Sequence, residues 1–212
     1  MRVTEMVAFI VAAGIVGFLL GRYRRSVVEN QGEAAIRKAL TKNFTGSGYH
    51  LLNNITLPLL EEGTTQIDHI LLSKYGIFVI ESKHYSGWIF ANASQPTWTQ
   101  VIYHYKQRFQ NPLRQNYKHI KAVQKILDFI PRENIHSLVA FTGSAEFKTE
   151  QPVGVFYIDG LIQHIEQFTT DVITENRLQF CVGRLEYHRK IISGKTDVEH
   201  HEYLNRKHGN AN

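Results

Sequence analysis

The sequence predicts a mixed α/β fold in which a sheet is flanked by helices in the order helix, strand, strand, strand, helix, strand (αβββαβ). Two observations carry this. Residues 64–80 hold two nearly continuous apolar runs, Ile70, Leu71, Leu72 and Ile77, Phe78, Val79, Ile80, joined by Ser73-Lys74-Tyr75-Gly76. That is the pattern of a hairpin covered on both faces. On either side of it, 27–44 and 111–127 carry apolar residues at helical spacing.

The chain has 212 residues and a formal charge of +5. This length holds one domain and a little more. The basic excess favours phosphate-bearing partners or an anionic membrane surface. Cys181 is the sole cysteine, which excludes an internal disulfide and argues against structural zinc.

Three regions follow: 1–27, 28–193 and 194–212. Residues 6–21, MVAFIVAAGIVGFLLG, carry no charge and are bracketed by Glu5 and Arg22. They number 16, against the roughly 20 that span a full hydrocarbon core. A cleaved signal peptide would have a basic start and a small-x-small cleavage site, yet Arg22-Tyr23-Arg24-Arg25 follows. A buried core helix would show a polar stripe. A transmembrane anchor is therefore expected. The arginines after it outnumber Arg2 before it, which places a single-pass protein in the inner membrane with its C-terminal domain in the cytoplasm.

In the soluble region, Ala34, Ala35, Ile36, Ala39 and Leu40 give the first helix its apolar stripe, and Gly46 lies just past its end. Residues 49–57 read as a strand closed by Pro58. The hairpin follows. Trp88-Ile89-Phe90 and 98–101 read as further short strands around a turn at 92–96. Trp98, Tyr103 and Tyr105 are suited either to stack on unpaired bases or to pack this extra hairpin on the sheet. Asn111-Pro112 opens a helix with a cap and a proline at its first position. Its apolar face is Leu113, Tyr117, Ile120, Val123, Ile126 and Leu127, with Gln115, Lys118, His119 and Lys121 on other sides. Two more strands, 137–142 and 153–158, a short helix from Asp159, and a last helix over 171–192 complete the domain. The polar tail contains Glu199-His200-His201-Glu202 and reads as a loosely ordered terminus.

The central hairpin carries three charges that burial makes costly: Asp68, Glu81 and Lys83. Glu81 and Lys83 are two apart and share a face. With a two- or four-residue turn, paired positions sum to 149 and Asp68 lies opposite Glu81. A three-residue turn with Gly76 left-handed would instead put Asp68 opposite Ser82, on the wrong face. In the first register two carboxylates and a lysine converge. Such carboxylates repel, and a hard divalent cation, Mg²⁺ or Mn²⁺, relieves the repulsion. Asp68 and Glu81, aided by the Ser82 carbonyl, would then hold the metal, with Lys83 beside it to orient water or neutralise a phosphate.

Asp68 in TQIDHILLS and GIFVIESKHYSGWI after it, with Gly32-Glu33 upstream and Asn111-Pro112-Leu113-Arg114-Gln115-Asn116 downstream, resemble the nuclease-related domain (NERD) family of the PD-(D/E)xK superfamily. Ile67 stands where the superfamily pattern has proline. The resemblance implies a restriction-endonuclease-like core and hydrolysis of phosphodiester bonds in nucleic acid, DNA more than RNA. It implies that Glu33 is a further carboxylate on the metal or its water, where otherwise an acidic residue simply suits a helix start. It also implies that Gln115 reaches the site, with Lys118 lending charge. Lys106 and Arg108 are candidate phosphate contacts. A membrane-anchored, metal-dependent nuclease is the leading expectation. The alternative is a catalytically silent nucleic-acid-binding or signalling module in which Asp68, Glu81 and Lys83 form an inert ion-pair cluster.

Overall fold

A computed structural model describes residues 31–44, 46, 48–59 and 63–189. The expected membrane span at 6–21 and the tail with its paired histidines lie outside these residues. Among the described residues no helix is long and apolar enough to cross a membrane.

The chain runs α1 (Gln31–Asn43), β1 (Tyr49–Pro58), β2 (Thr64–Ser73), β3 (Gly76–His84), β4 (Gly87–Phe90), β5 (Thr97–Ile102), β6 (Tyr105–Gln110), α2 (Pro112–Ile126), β7 (Ile135–Thr142), β8 (Ala145–Phe147), β9 (Val155–Tyr157), α3 (Ile158–Glu166) and α4 (Glu175–His188). The expected αβββαβ order is present, with three strands inserted before α2. The main sheet has the order β1-β2-β3-β7-β9. Its first three strands are antiparallel, whereas β3–β7 and β7–β9 are parallel.

Burial on both faces explains why β2 and β3 are apolar at consecutive positions. Leu72, Ile77 and Val79 pack with Ile120, Val123 and Ile126 of α2 and Leu178, Cys181 and Leu185 of α4. Leu71, Phe78 and Ile80 face the other way, onto Ile36 and Leu40 of α1 and Leu161 and Ile165 of α3. Asn111 caps α2 by accepting from the Leu113 N–H at 2.9 Å, with proline at the first turn, as its sequence predicts.

Three expectations are corrected. The extra hairpin is part of a separate four-stranded sheet, β6-β5-β4-β8, in which β4 pairs in parallel with β8 from far downstream. The strand expected over 153–158 is limited to Val155–Tyr157, and Ile158 already begins α3. The last helix begins at Glu175 because the Val172 and Ile173 N–H groups both donate to the Lys74 carbonyl, each at 2.9 Å. That segment is tied to the central turn instead of winding into helix.

Candidate active site

The central hairpin closes through two residues, Lys74 and Tyr75, and every paired position sums to 149, from Ser73 with Gly76 to His69 with Ile80. This is the register that places Asp68 and Glu81 on one face. Ser73 holds the turn, its hydroxyl accepting from the Tyr75 N–H at 3.1 Å and donating to the Gly76 carbonyl at 3.3 Å. The ladder starts at His69. Beyond it the Ser82 N–H donates to Asp68 Oδ2 at 2.7 Å, so the carboxylate takes the place of a strand acceptor. Across β1 the register skips the Asn54–Asp68 pair, where Asn54 adopts φ +53°. Thus β2 leaves the regular ladder on both sides at Asp68, its acidic residue.

Glu81 is 2% exposed, and both of its oxygens are engaged. Lys83 Nζ donates to Oε1 at 2.5 Å, and His119 Nε2 donates to Oε2 at 3.0 Å. Lys83 also donates to Gln115 Oε1 at 3.0 Å. With Nε2 carrying its proton toward Glu81, His119 Nδ1 accepts from the Thr65 hydroxyl at 2.8 Å. Gln115 and His119 stand four residues apart on α2, on one helix face, over the end of β3. Asn116 docks that helix: its side-chain amide donates to the carbonyls of Val79 and Leu138 and to Ser137 Oγ, all at 2.9 Å.

The electrostatics separate the two carboxyls. Burial, then the Glu81 charge, push Asp68 up to about 8, with Glu33 adding to the rise and the Ser82 N–H and Lys83 opposing it. Burial would also raise Glu81, but His119 and Lys83 outweigh it and hold Glu81 below the usual carboxylate range. Burial works against the Lys83 charge, and Glu81 outweighs that too, so Lys83 is raised and remains an ammonium.

Of the expected residues, Asp68, Glu81, Lys83 and Gln115 come together. Glu33 stands in the first turn of α1, where its charge is felt at Asp68. Gly32 beside it explains the close approach: a Cβ there would lie 2.7 Å from His84 Cβ and 2.8 Å from Thr142 Oγ1. Lys118 is exposed on α2, and Lys106 and Arg108 are exposed on β6. Trp98 is core, 1% exposed, whereas Tyr103 and Tyr105 are open to solvent. Two expectations about α2 are reversed: Tyr117 is exposed, and His119, read as an outer residue, is 3% exposed and belongs to the site. The four-residue spacing to Gln115 is the signal that would have found it.

A family model described as nuclease-related domain (NERD) matches residues 29–142. The chain belongs to the nuclease-related domain family. The match spans α1 through β7 and so includes every residue of the site just described. An uncharacterized protein of Bacillus anthracis is 32% identical to the chain over 180 residues, 83% of each protein. No solved structure matches. The chain is thus nuclease-related in family, and the matched stretch contains the charged cluster on its central hairpin.

Proposed function

We propose that this protein is a membrane-anchored, divalent-metal-dependent nuclease that hydrolyses phosphodiester bonds, with DNA as the favoured substrate. The observation that carries the reading is the convergence of Asp68, Glu81, Lys83 and Gln115 on the α2 side of the hairpin end.

The donor set fits a hard cation such as Mg²⁺ or Mn²⁺. Asp68 and Glu81 are carboxylates, the Ser82 carbonyl adds an oxygen, and the upward push on Asp68 from Glu81 and Glu33 is repulsion that a cation removes. Among the described residues no group of three or more His, Cys, Asp or Glu side chains converges at metal-binding spacing. The side chains therefore offer two carboxylate ligands, with Glu33 acting from farther out. When bound, the cation would supply hydroxide at neutral pH and stabilise charge on the phosphate.

Lys83, kept as an ammonium, is suited to hold the non-bridging phosphate oxygens as negative charge grows, and unsuited to remove a proton. Gln115 fixes Lys83, and His119 fixes Glu81. Attack of water at phosphorus breaks one P–O ester bond, leaving a phosphomonoester and a hydroxyl.

One observation favours a second reading. Lys83 on Oε1 and His119 on Oε2 already satisfy Glu81 without a cation, which would suit a silent nucleic-acid-binding or signalling module at the membrane.

The deciding experiment measures cleavage of labelled single- and double-stranded DNA and RNA by the full-length chain in detergent, with Mg²⁺, Mn²⁺ or EDTA. Asp68→Ala and Lys83→Ala are each expected to lose about a hundredfold or more of the metal-dependent rate. Absence of cleavage, with a melting temperature unmoved by metal, would leave the silent module. Protease protection of the C-terminal domain in sealed membrane vesicles tests the anchor at 6–21 and its cytoplasmic orientation.

A further inference from the structure

The second sheet buries one face and leaves the other open. Ile89, Trp98, Ala145 and, in part, Phe109 and Phe147 point inward, onto Val139, Phe141 and Val155. The registers determine what points outward. Trp88 lies beside Val101 and Val101 beside Lys106; Phe90 lies beside Thr99 and Thr99 beside Arg108. On the other flank Trp88 neighbours Glu146, whose charge is paired with Lys148, and the Lys148 ammonium sits 4.9 Å above the Trp88 ring. Two aromatic rings, 50% and 40% exposed, therefore stand on one sheet surface with three cations and one neutralised carboxylate. Trp88 and Phe90 thus keep about half their surface in water side by side on a strand whose alternate residue, Ile89, is fully buried, a pairing of exposed rings that marks an interaction surface.

The sheet is also spliced into the site. Only Tyr85 and Ser86 separate β3, with Lys83, from β4, and only Asn111 separates β6 from α2, with Gln115. Trp88 follows Lys83 by five residues, which limits their separation to about 18 Å. Tyr85, in the link, stacks on Phe109 of β6 at 4.5 Å and is close enough to feel the Lys83 charge.

We infer that the open face of the β6-β5-β4-β8 sheet binds a single-stranded segment of nucleic acid, with unpaired bases stacking on Trp88 and Phe90 and phosphates meeting Lys106, Arg108 and Lys148. A row of exposed rings on β4, flanked by Lys106 and Arg108 on one side and Lys148 on the other, lets unpaired bases stack while the backbone phosphates meet cations beside them, whereas bases already stacked in a duplex have no free face for the rings. The inference deepens the nuclease reading: it names unpaired strands as the substrate class and the sheet as the element that delivers them to Lys83.

The test is binding by the full-length chain in EDTA, where metal-dependent cleavage is silent, so that it stands apart from the nuclease assay. Fluorescence polarisation compares a labelled mixed-sequence DNA or RNA single strand with the same sequence as a duplex. The single strand is expected to bind more tightly than the duplex. Trp88→Ala and Phe90→Ala should each weaken it about tenfold, and Trp88→Phe should restore most of the loss. Lys106→Ala and Arg108→Ala should each flatten the salt dependence, by a slope of about 0.7 per cation. Binding of the single strand that is unchanged in Trp88→Ala and Phe90→Ala would overturn the inference while leaving the nuclease reading to its own assay. So would duplex preference, or a self-association in sedimentation that these variants abolish without altering strand binding. Trp88-dependent binding without metal-dependent cleavage would uphold the strand-binding face and remove the catalytic half of the reading. Both rings are exposed, so unchanged melting temperatures serve as the folding control.

Discussion

His119 Nε2 donates to Glu81 Oε2 at 3.0 Å while Lys83 Nζ holds Oε1 of the same carboxylate. The buried glutamate is therefore oriented from both sides, by a helix residue and by its own strand. Removing the imidazole leaves one oxygen of a buried carboxylate unsatisfied. His119→Ala is expected to lower stability by about 1–3 kcal/mol in urea unfolding. It is also expected to lower metal-dependent cleavage about 10- to 100-fold, as loss of a ligand's supporting hydrogen bond does. Wild-type stability and rate in this variant would show that Glu81 needs only Lys83.

Asp68 makes stability depend on pH with a definite sign. Its carboxyl is raised from 3.8 to about 8 in the folded chain, so the folded state binds the proton more tightly than the unfolded state. Its favourable contribution is complete below the unfolded value and is lost as pH rises through the folded one. Glu81, held below its usual range, acts in the opposite direction and only in acid. In EDTA, Asp68→Asn should therefore gain on the wild type between pH 5 and pH 8 by about 1 kcal/mol or more. Mg²⁺ should raise the wild-type melting temperature and leave that of Asp68→Asn unmoved. Parallel pH profiles for the two proteins would remove Asp68 as the source.

Asn116 is buried and joins α2 to both β3 and β7. Asn116→Leu is expected to cost about 2–4 kcal/mol, because it leaves strand carbonyls without donors under the helix. Cleavage should fall with it, since Gln115 and His119 ride on the same turn. A variant as stable as the wild type in chemical denaturation would refute this docking role.

Gly32 has no room for a methyl group between His84 and Thr142. Gly32→Ala is expected to cost about 1–3 kcal/mol by overpacking and to shift the start of α1, and with it Glu33. Calorimetry measures the first effect. Comparison of the cleavage rate with that of Glu33→Gln measures the second, and an unaltered rate in Gly32→Ala would show that Glu33 does not depend on this contact.

Much of the site was legible because hairpin arithmetic is local. Ser73-Lys74-Tyr75-Gly76 set a short list of registers, alternation put Glu81 and Lys83 on one face, and Asn111-Pro112 marked the start of the helix that brings Gln115. These features depend on residues a few positions apart, where backbone geometry leaves few choices. The choice among registers belonged to the folded sheet, which pairs Asp68's strand with both β1 and β3. The role of His119 also waited on the tertiary structure, because which polar residues of a helix face inward depends on how the helix is rotated over the sheet. The second sheet was hidden for a similar reason: β4 finds its parallel partner β8 some 58 residues downstream, with Gly87 beside Ala145, and no turn signal links them. The sequence by itself thus determined which charged residues share a face at the hairpin end and which local elements hold them. Only the tertiary structure decided what supports Glu81 and which aromatic rings remain in water, because both depend on contacts between elements distant in the chain.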